Sequence, residues 1–495
     1  MSVETRLPSA PPVPDLGAPK PSVAQELREL FALSAPTVAT MISYTLMQFV
    51  DGLMVARITP ADPVNLAAQG NGSIWAFVPT SFLVGMLGVV NTYVAQNLGA
   101  GKPERGAAYA WNAMWLAALG YLVVVAYALV LPSIFALDAA GRDPQMLAMQ
   151  TQYAQILLFG ALPMLITRGL SQFFYGLHRP KIVLVAALVG NATNLIGNWL
   201  LIYGSPKLGI PALGVQGAAI ATVIGTFVEC LFPLALFLSA RYQREFHTRE
   251  SWRPSGSHMR EIVTIGWPAS IMVGNELVCW AIFMDKLVGS FGKEHNMAGW
   301  ITLRYMHLSF MPAVGLSYAM TSIVGKAIGQ GRPDIARHKA RLGIAVTAIY
   351  MGVCGVLFIV FRHQLVGLFV ASDASPELAA QIQSIGTSLL IIAAIFQFAD
   401  GIGIALLGCL RGAGDTLFPG VATIVLAWLL IVGLGWALAV GMPSWESKGP
   451  WIGAAAYIFA LGAVLLYRWN SPAWEKIHLV DGPKSPEKVA PTNAA

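Results

Sequence analysis

Residues 33–57 read LSAPTVATMISYTLMQFVDGLMVAR, a run that is apolar almost throughout and carries one acid, Asp51, well inside it. It is longer than the roughly 20 residues a helix needs to cross a bilayer. A carboxylate at mid-bilayer costs about 2.5 to 3.5 kcal/mol even on lenient insertion scales, so Asp51 needs a reason to be there.

Runs of this kind recur along the chain of 495 residues, 56% of them hydrophobic and 11% charged. Soluble domains carry about a quarter charged residues, so the bilayer is the main solvent. Splitting the runs at charged, Gly- and Pro-containing breaks predicts twelve spans, near 34–57, 68–97, 107–131, 147–170, 182–203, 214–240, 262–288, 298–325, 341–361, 378–409, 416–441 and 451–468. The fold class expected is an all-α polytopic membrane protein of twelve transmembrane helices.

Orientation follows from basic residues. With both ends of the chain cytoplasmic, tails and inner loops hold 22 of the 31 Lys and Arg and outer loops hold 7, the asymmetry of the positive-inside rule. Arg168 and Arg304 fall within spans. The net charge of +6 is spread over these short loops, not gathered in a basic domain, so no nucleic-acid partner is expected. Residues 1–22, with five prolines between positions 8 and 19, lack the apolar core of a secretory signal. Residues 1–32 are expected to be a disordered cytoplasmic tail, and 469–495 a second cytoplasmic tail. Cys230, Cys279, Cys354 and Cys409 sit in or at the end of apolar stretches without CxxC pairs or His partners, which indicates packing rather than disulfides or zinc.

The five-arginine stretch at 241–261 divides the chain into an N-lobe, 33–240, and a C-lobe, 262–468. The lobes echo each other. QNLGAGKPE at 96–104 matches KAIGQGRPD at 326–334 after a shift of 230 residues. FVDGLMVARI at 49–58 is a looser match to FMDKLVGSFG at 283–292, as is YGLHRPK at 175–181 to LGCLRGAGD at 407–415. Six spans per repeat is an even number, so a pseudo-two-fold axis along the membrane normal should relate the two six-helix bundles.

Polar groups inside spans are the functional candidates. Thr37, Met41, Tyr44, Gln48, Asp51 and Val55 follow steps of four and three and share one helical face. Asn191, Asn194 and Asn198 share a face of the fifth span. Carboxylate and amide oxygens of this kind suit a small hard cation or a proton relay. The second half carries Glu276 in its first span and Asp400 in its fourth, with Gln397 one turn earlier and no basic residue a turn away on either helix. Asp285 abuts Lys286 near the outer end of its span and reads as structural or interfacial. Glu229, Arg304 and His307 are further intramembrane polar residues for which the sequence names no partner. Nucleotide-binding, zinc-protease and nucleophile-elbow motifs are missing, so no enzymatic activity and no cofactor are expected.

Taken together, the stretch around Asp51, QNLGAGKPERGAA, GKAIGQGRPDIA, NATNLIGNWLLIYG followed by LGVQGAAIAT, and LRGAGDT resemble the multidrug and toxic compound extrusion (MATE) transporters, NorM-like branch, over roughly residues 25–470. The resemblance implies a secondary active antiporter of the cytoplasmic (inner) membrane. It would export amphipathic, often cationic small organic compounds in exchange for inward Na⁺ or H⁺ by alternating access between two lobes. The two-lobed plan is self-sufficient, so a monomer among membrane lipids is the default expectation. The resemblance further implies that Asp51, Asn194 and Asn198 form an N-lobe cation site, that Glu276 and Asp400 are C-lobe coupling carboxylates, and that Pro36 is a bending point. Na⁺ is then expected at Asp51 or at the Glu276 and Asp400 pair, with Tyr44, Gln48 and Gln397 lining the substrate cavity. Asn198 stands where the DinF-like branch often has a second acid, which weakens the case for a high-affinity Na⁺ site there. Arg57 stands where the family often has glycine. The alternatives are a lipid or lipid-linked oligosaccharide flippase of the same superfamily, which tends to line its cavity with several basic groups, and, less favoured, a membrane-embedded lipid-modifying enzyme.

Overall fold

The fold is seen in a computed structural model that describes residues 23–58, 63–137, 143–369 and 376–480. Among the described residues the backbone is helical, with one isolated bridge between Ser205 and Ile210. The first half contains α1 (Val23–Ala56), α2 (Pro63–Leu87) continued by α3 (Val90–Gly99), α4 (Arg105–Leu137), α5 (Pro144–Phe159) with α6 (Ala161–Gly176), α7 (Pro180–Tyr203) and α8 (Gly214–Phe237). A short α9 (Ala240–Phe246) leads to the second half. There α10 (Gly256–Ile282) is followed by α11 (Lys293–Gly329), α12 (Pro333–Val360), the short α13 (Arg362–Gly367) and α14 (Pro376–Ala413). The last span is preceded by α15 (Leu417–Leu426), which runs through a π-helical stretch into α16 (Gly435–Gly441), and is itself α17 (Lys448–Asn470).

Ten of the described segments are long and apolar enough to cross a membrane, and the α5–α6 pair, bent by 49°, makes an eleventh span. The seventh is α10, 27 residues long and extended by a π-helical turn at Phe283–Val288. Twelve spans in two six-helix bundles result. The α5–α6 bend has a local cause. Pro163 has no N–H to offer the carbonyl of Phe159, and the hydroxyl of Tyr121 donates to that carbonyl instead, at 2.5 Å. Each half has its own apolar core, one around Phe173, Phe174 and Phe237, the other around Phe283, Phe396 and Trp451.

Residues 23–32 correct the expected N-terminal tail: they form the first turns of α1. VAQELRELFA has no proline and is rich in good helix formers, and Glu26 and Glu29 pair with His338 and Lys339 of α12 at 2.9 and 2.8 Å. The rest of that expected tail, 1–22, and residues 481–495 lie outside the described residues.

An even number of spans puts Val23 and Asn470 at the same end of the molecule, which we term the tail side. The halves meet there. Thr92 Oγ1 donates to Arg411 O (2.8 Å), Gln96 Nε2 to Gly412 O (3.0 Å) and Asn91 Nδ2 to Tyr318 O (3.2 Å). Nearer mid-membrane, Thr37 Oγ1 lies 2.8 Å from Gly315 O. Among the described residues, every hydrogen bond between the halves lies at mid-membrane or on the tail side.

Candidate functional site

Asp51 is 7% exposed on α1, and α7 brings its partners to it. Asn198 Nδ2 donates to Asp51 Oδ1 at 2.5 Å and to Asn194 Oδ1 at 3.1 Å, and Asn194 Nδ2 donates to Thr222 Oγ1 of α8 at 3.2 Å. The spacing of four residues between Asn194 and Asn198 puts both amides on the face turned to α1 and α8. Tyr153 of α5 is within electrostatic reach of Asp51. Asn198 Oδ1 is buried without a hydrogen-bond partner. One carboxylate flanked by neutral oxygens is a donor set for a proton or a small hard cation, and it fits either. Among the described residues no three His, Cys, Asp or Glu side chains gather as a metal-ion site, so a cation here would rely on amide and hydroxyl oxygens for most of its ligands.

The second half holds a separate acidic group. Glu276 on α10 and Asp400 on α14 are electrostatic neighbours, and Tyr457 of α17 donates its hydroxyl to Glu276 Oε1 at 2.8 Å. Tyr457 also senses Asp400. The two acids lie within electrostatic reach of each other, with a neutral donor on one of them and no ion pair on either among the described residues.

The other expected positions divide. Tyr44 points into the first half, where its hydroxyl donates to Glu229 of α8 and Arg168 of α6 lies over its ring, 5.1 Å from the centroid. Gln48 is exposed on α1. Gln397 is not a cavity residue as expected: it is 1% exposed, and its amide donates to Ser309 Oγ of α11 at 2.8 Å, so helix packing uses it. Pro36 lies inside α1, which runs through it as one helix. Asn191 turns to Ser43, donating to its Oγ at 2.9 Å, and does not join Asp51. Asp285 forms an exposed pair with Lys286 at 2.8 Å, and Arg304 stacks its guanidinium 5.7 Å from the ring of Phe369. Sequence reading missed Tyr457, Thr222 and Tyr153. The hydroxyls come from helices far along the chain, and no local pattern announces them.

Two six-helix bundles, with Asp51 buried in the first half and Glu276 and Asp400 half-buried in the second, have the plan of a membrane transporter. A profile of the MatE family matches residues 36–200 and 268–437, and the chain belongs to that family. It is 30% identical over 456 residues to the probable multidrug resistance protein NorM of Burkholderia pseudomallei (strain K96243), covering 92% of this chain and 94% of that one. It is also 30% identical over 463 residues to the multidrug resistance protein NorM of Burkholderia vietnamiensis, covering 92% and 96%. Among solved structures, a crystal structure of MATE in complex with MaL6 superposes with a TM-score of 0.80 at 22% identity, covering 92% of this chain and all of that one. An outward-facing multidrug resistance MATE family transporter of the MOP superfamily gives 0.79 at 21%, covering 93% and 100%.

Proposed function

We propose that the protein is a secondary active multidrug efflux transporter that exchanges amphipathic, often cationic organic compounds for inward Na⁺ or H⁺. The lobes are taken as 33–240 and 262–468, acting as a monomer in the cytoplasmic membrane, with the tail side cytoplasmic. The observation that carries the reading is the pair of separate acidic sites, one per half: Asp51 with Asn198, and Glu276 with Asp400 and Tyr457. A carboxylate that closes into a low-dielectric interior uncharged or cation-bound costs less than one closing bare, so occupancy biases which side opens. Contacts between the halves on the tail side correspond to a form open to the outside. The names of the Burkholderia relatives support the substrate class.

The test is transport of a fluorescent organic cation in proteoliposomes under an imposed Na⁺ gradient, and separately under a pH gradient, for wild type and Asp51→Asn. Transport driven by one gradient and lost in the variant supports antiport and names the ion. No transport under either gradient sinks the reading.

A further inference from the structure

The linker between the halves reads RESWRPSGSHMRE at 249–261, and its arginines divide into one with a partner and two without. Arg249 Nε donates to Leu238 O at 2.8 Å. Arg253 and Arg260 are exposed, and neither makes an ion pair or a side-chain hydrogen bond among the described residues. The acids of the same stretch are taken up elsewhere. Glu250 accepts from Gln243 Nε2 at 2.8 Å, and Glu261 accepts the Tyr109 hydroxyl at 2.6 Å.

The place of this stretch is fixed by α4. Trp111 and Trp115, one turn apart, donate their indole N–H groups to Thr248 O at 2.6 Å and Trp252 O at 2.8 Å, and Asn112 Oδ1 accepts from Ser255 N at 2.8 Å. With 33 residues α4 is about 50 Å long at 1.5 Å per residue, so it outruns a hydrocarbon core of about 30 Å. Its exposed apolar stripe of Leu119, Leu122, Val123 and Leu129 begins one turn beyond Trp115. Trp115, and the exposed Trp252 laid against it, therefore stand at the tail-side edge of that stripe, the depth that indoles favour in a bilayer. On α10 the exposed Val263, Trp267 and Ile271 form a second stripe, and Arg260 falls on the same face, three residues before Val263 and seven before Trp267. One free arginine thus follows Trp252 in the chain, and the other precedes the lipid-facing stripe of α10.

We propose that Arg253 and Arg260, flanked by Trp252 and Trp267, form an interfacial site for the headgroup of an anionic phospholipid, where the linker passes from α4 to α10. Charge and depth agree on that occupant. Two guanidiniums without a carboxylate are held where the phosphates of a bilayer lie, beside indoles that anchor at the same level. Because α4 belongs to the first half and α10 to the second, a lipid bound here touches both. The site lies apart from Asp51 and from Glu276 and Asp400, and it stands whether or not the export reading holds.

The experiment offers the full chain, in a neutral detergent, equal amounts of phosphatidylglycerol and phosphatidylcholine with the same acyl chains. Native mass spectrometry reads the ratio of the two bound lipids. At about fivefold for each basic residue at an anionic surface, two arginines should give wild type a preference for phosphatidylglycerol of about twentyfold. Arg253→Gln and Arg260→Gln should each lower that preference about fivefold, and the double variant should bring it near parity. Arg241→Gln removes the same charge from an exposed position on α9 and should leave the ratio as it is. A wild-type ratio near one, or a ratio that neither linker variant changes, overturns the proposal. So does an equal fall in Arg241→Gln, which would mean diffuse attraction to the whole basic surface. Inorganic phosphate added in excess should not displace the bound lipid; displacement would mark a site for free phosphate and overturn the lipid assignment.

Discussion

Gly99 and Gly329 lie each against the other's helix. A Cβ on Gly99 would stand 2.0 Å from Lys326 O, and one on Gly329 would stand 2.0 Å from Gln96 O. These are equivalent positions of the repeat at 96–104 and 326–334, so the two copies of the motif touch at the pseudo-two-fold axis. The turns that follow are also alike. Gly101 and Gly331 take φ of 73° and 70°, and Lys102 N and Arg332 N donate to Asn97 O and Ala327 O at 2.9 and 3.0 Å. Small residues permit this approach between α3 and α11.

Alanine at either glycine must therefore push the halves apart on the tail side. Gly99→Ala and Gly329→Ala are each expected to destabilise the form seen here by about 1 to 3 kcal/mol, the usual cost of overpacking a close contact. Labelling of single cysteines placed beside Gln96 from the tail side should rise in both variants. Unchanged labelling with an unchanged melting temperature would show that the contact yields freely.

His178 gives the same seam a dependence on pH. It sits in the turn between α6 and α7 at φ 59°, with Nε2 3.1 Å from Ser322 O. Burial lowers its pKa from 6.5 to about 4; Lys326 and Lys339 add to the shift, while the Ser322 hydrogen bond and Glu29 oppose it. A chain opened at this seam takes up a proton below pH 6.5, and the closed one does not until about pH 4. The contribution is thus fully present above pH 6.5 and is lost progressively as pH falls toward 4. Melting temperature in detergent should drop between pH 7 and pH 5, and His178→Asn should show a shallower drop. Equal slopes would count against a part for His178.

How much was visible beforehand depends on whether a feature is local. The spans could be read because each is a continuous apolar run, and the axis because the motif at 96–104 returns at 326–334. Asp51 and the Asn194 and Asn198 pair could be read because helical spacing puts each set on one face. Tyr457 could not: it reaches Glu276 from 181 residues away, and nothing near either residue reports the contact. Gln397 misled for the same reason, since the group that occupies its amide, Ser309, is 88 residues away on another helix. Residues 23–32 were assigned to a tail because their charges lack a visible purpose until α12 is alongside.

The tail-side end of the second half is fixed by Arg337. Its Nε donates to Glu475 Oε1 at 2.7 Å, and its other nitrogens donate to Trp469 O and Ser471 O at 3.0 and 3.1 Å. The guanidinium carbon lies 4.9 Å from the centroid of Trp474, which stacks on Trp469 at 4.3 Å. The segment so held carries Leu479 across to pack against the apolar core of the first half. Arg337→Lys keeps the charge but lacks the planar fork, so it should recover little of what Arg337→Ala loses, about 2 to 4 kcal/mol for several charge-assisted bonds. Thermal melting of the two variants decides it; full stability in Arg337→Lys would mean that charge alone suffices.

The Asp51 and Asn198 contact makes a further claim, which a double-mutant cycle can isolate. If Asn198 acts by holding the Asp51 carboxylate through the 2.5 Å bond, its removal matters only while the carboxylate is present. Asn198→Ala should lower gradient-driven export at least several-fold, because it takes away both the donor to Asp51 and the buried Oδ1 that lies beside the acid. Asp51→Asn should lower export further, since it removes the carboxylate from that face of α1. Adding Asn198→Ala to Asp51→Asn should then change little. Independent effects that multiply in the double variant would mean that Asn198 serves the fold of α7 against α8, through Asn194 and Thr222, and not the acid. Initial export rates from proteoliposomes, normalised to reconstituted protein, separate the two cases. A Tyr457→Phe and Glu276→Gln cycle asks the same question of the second half, where the donor is a hydroxyl.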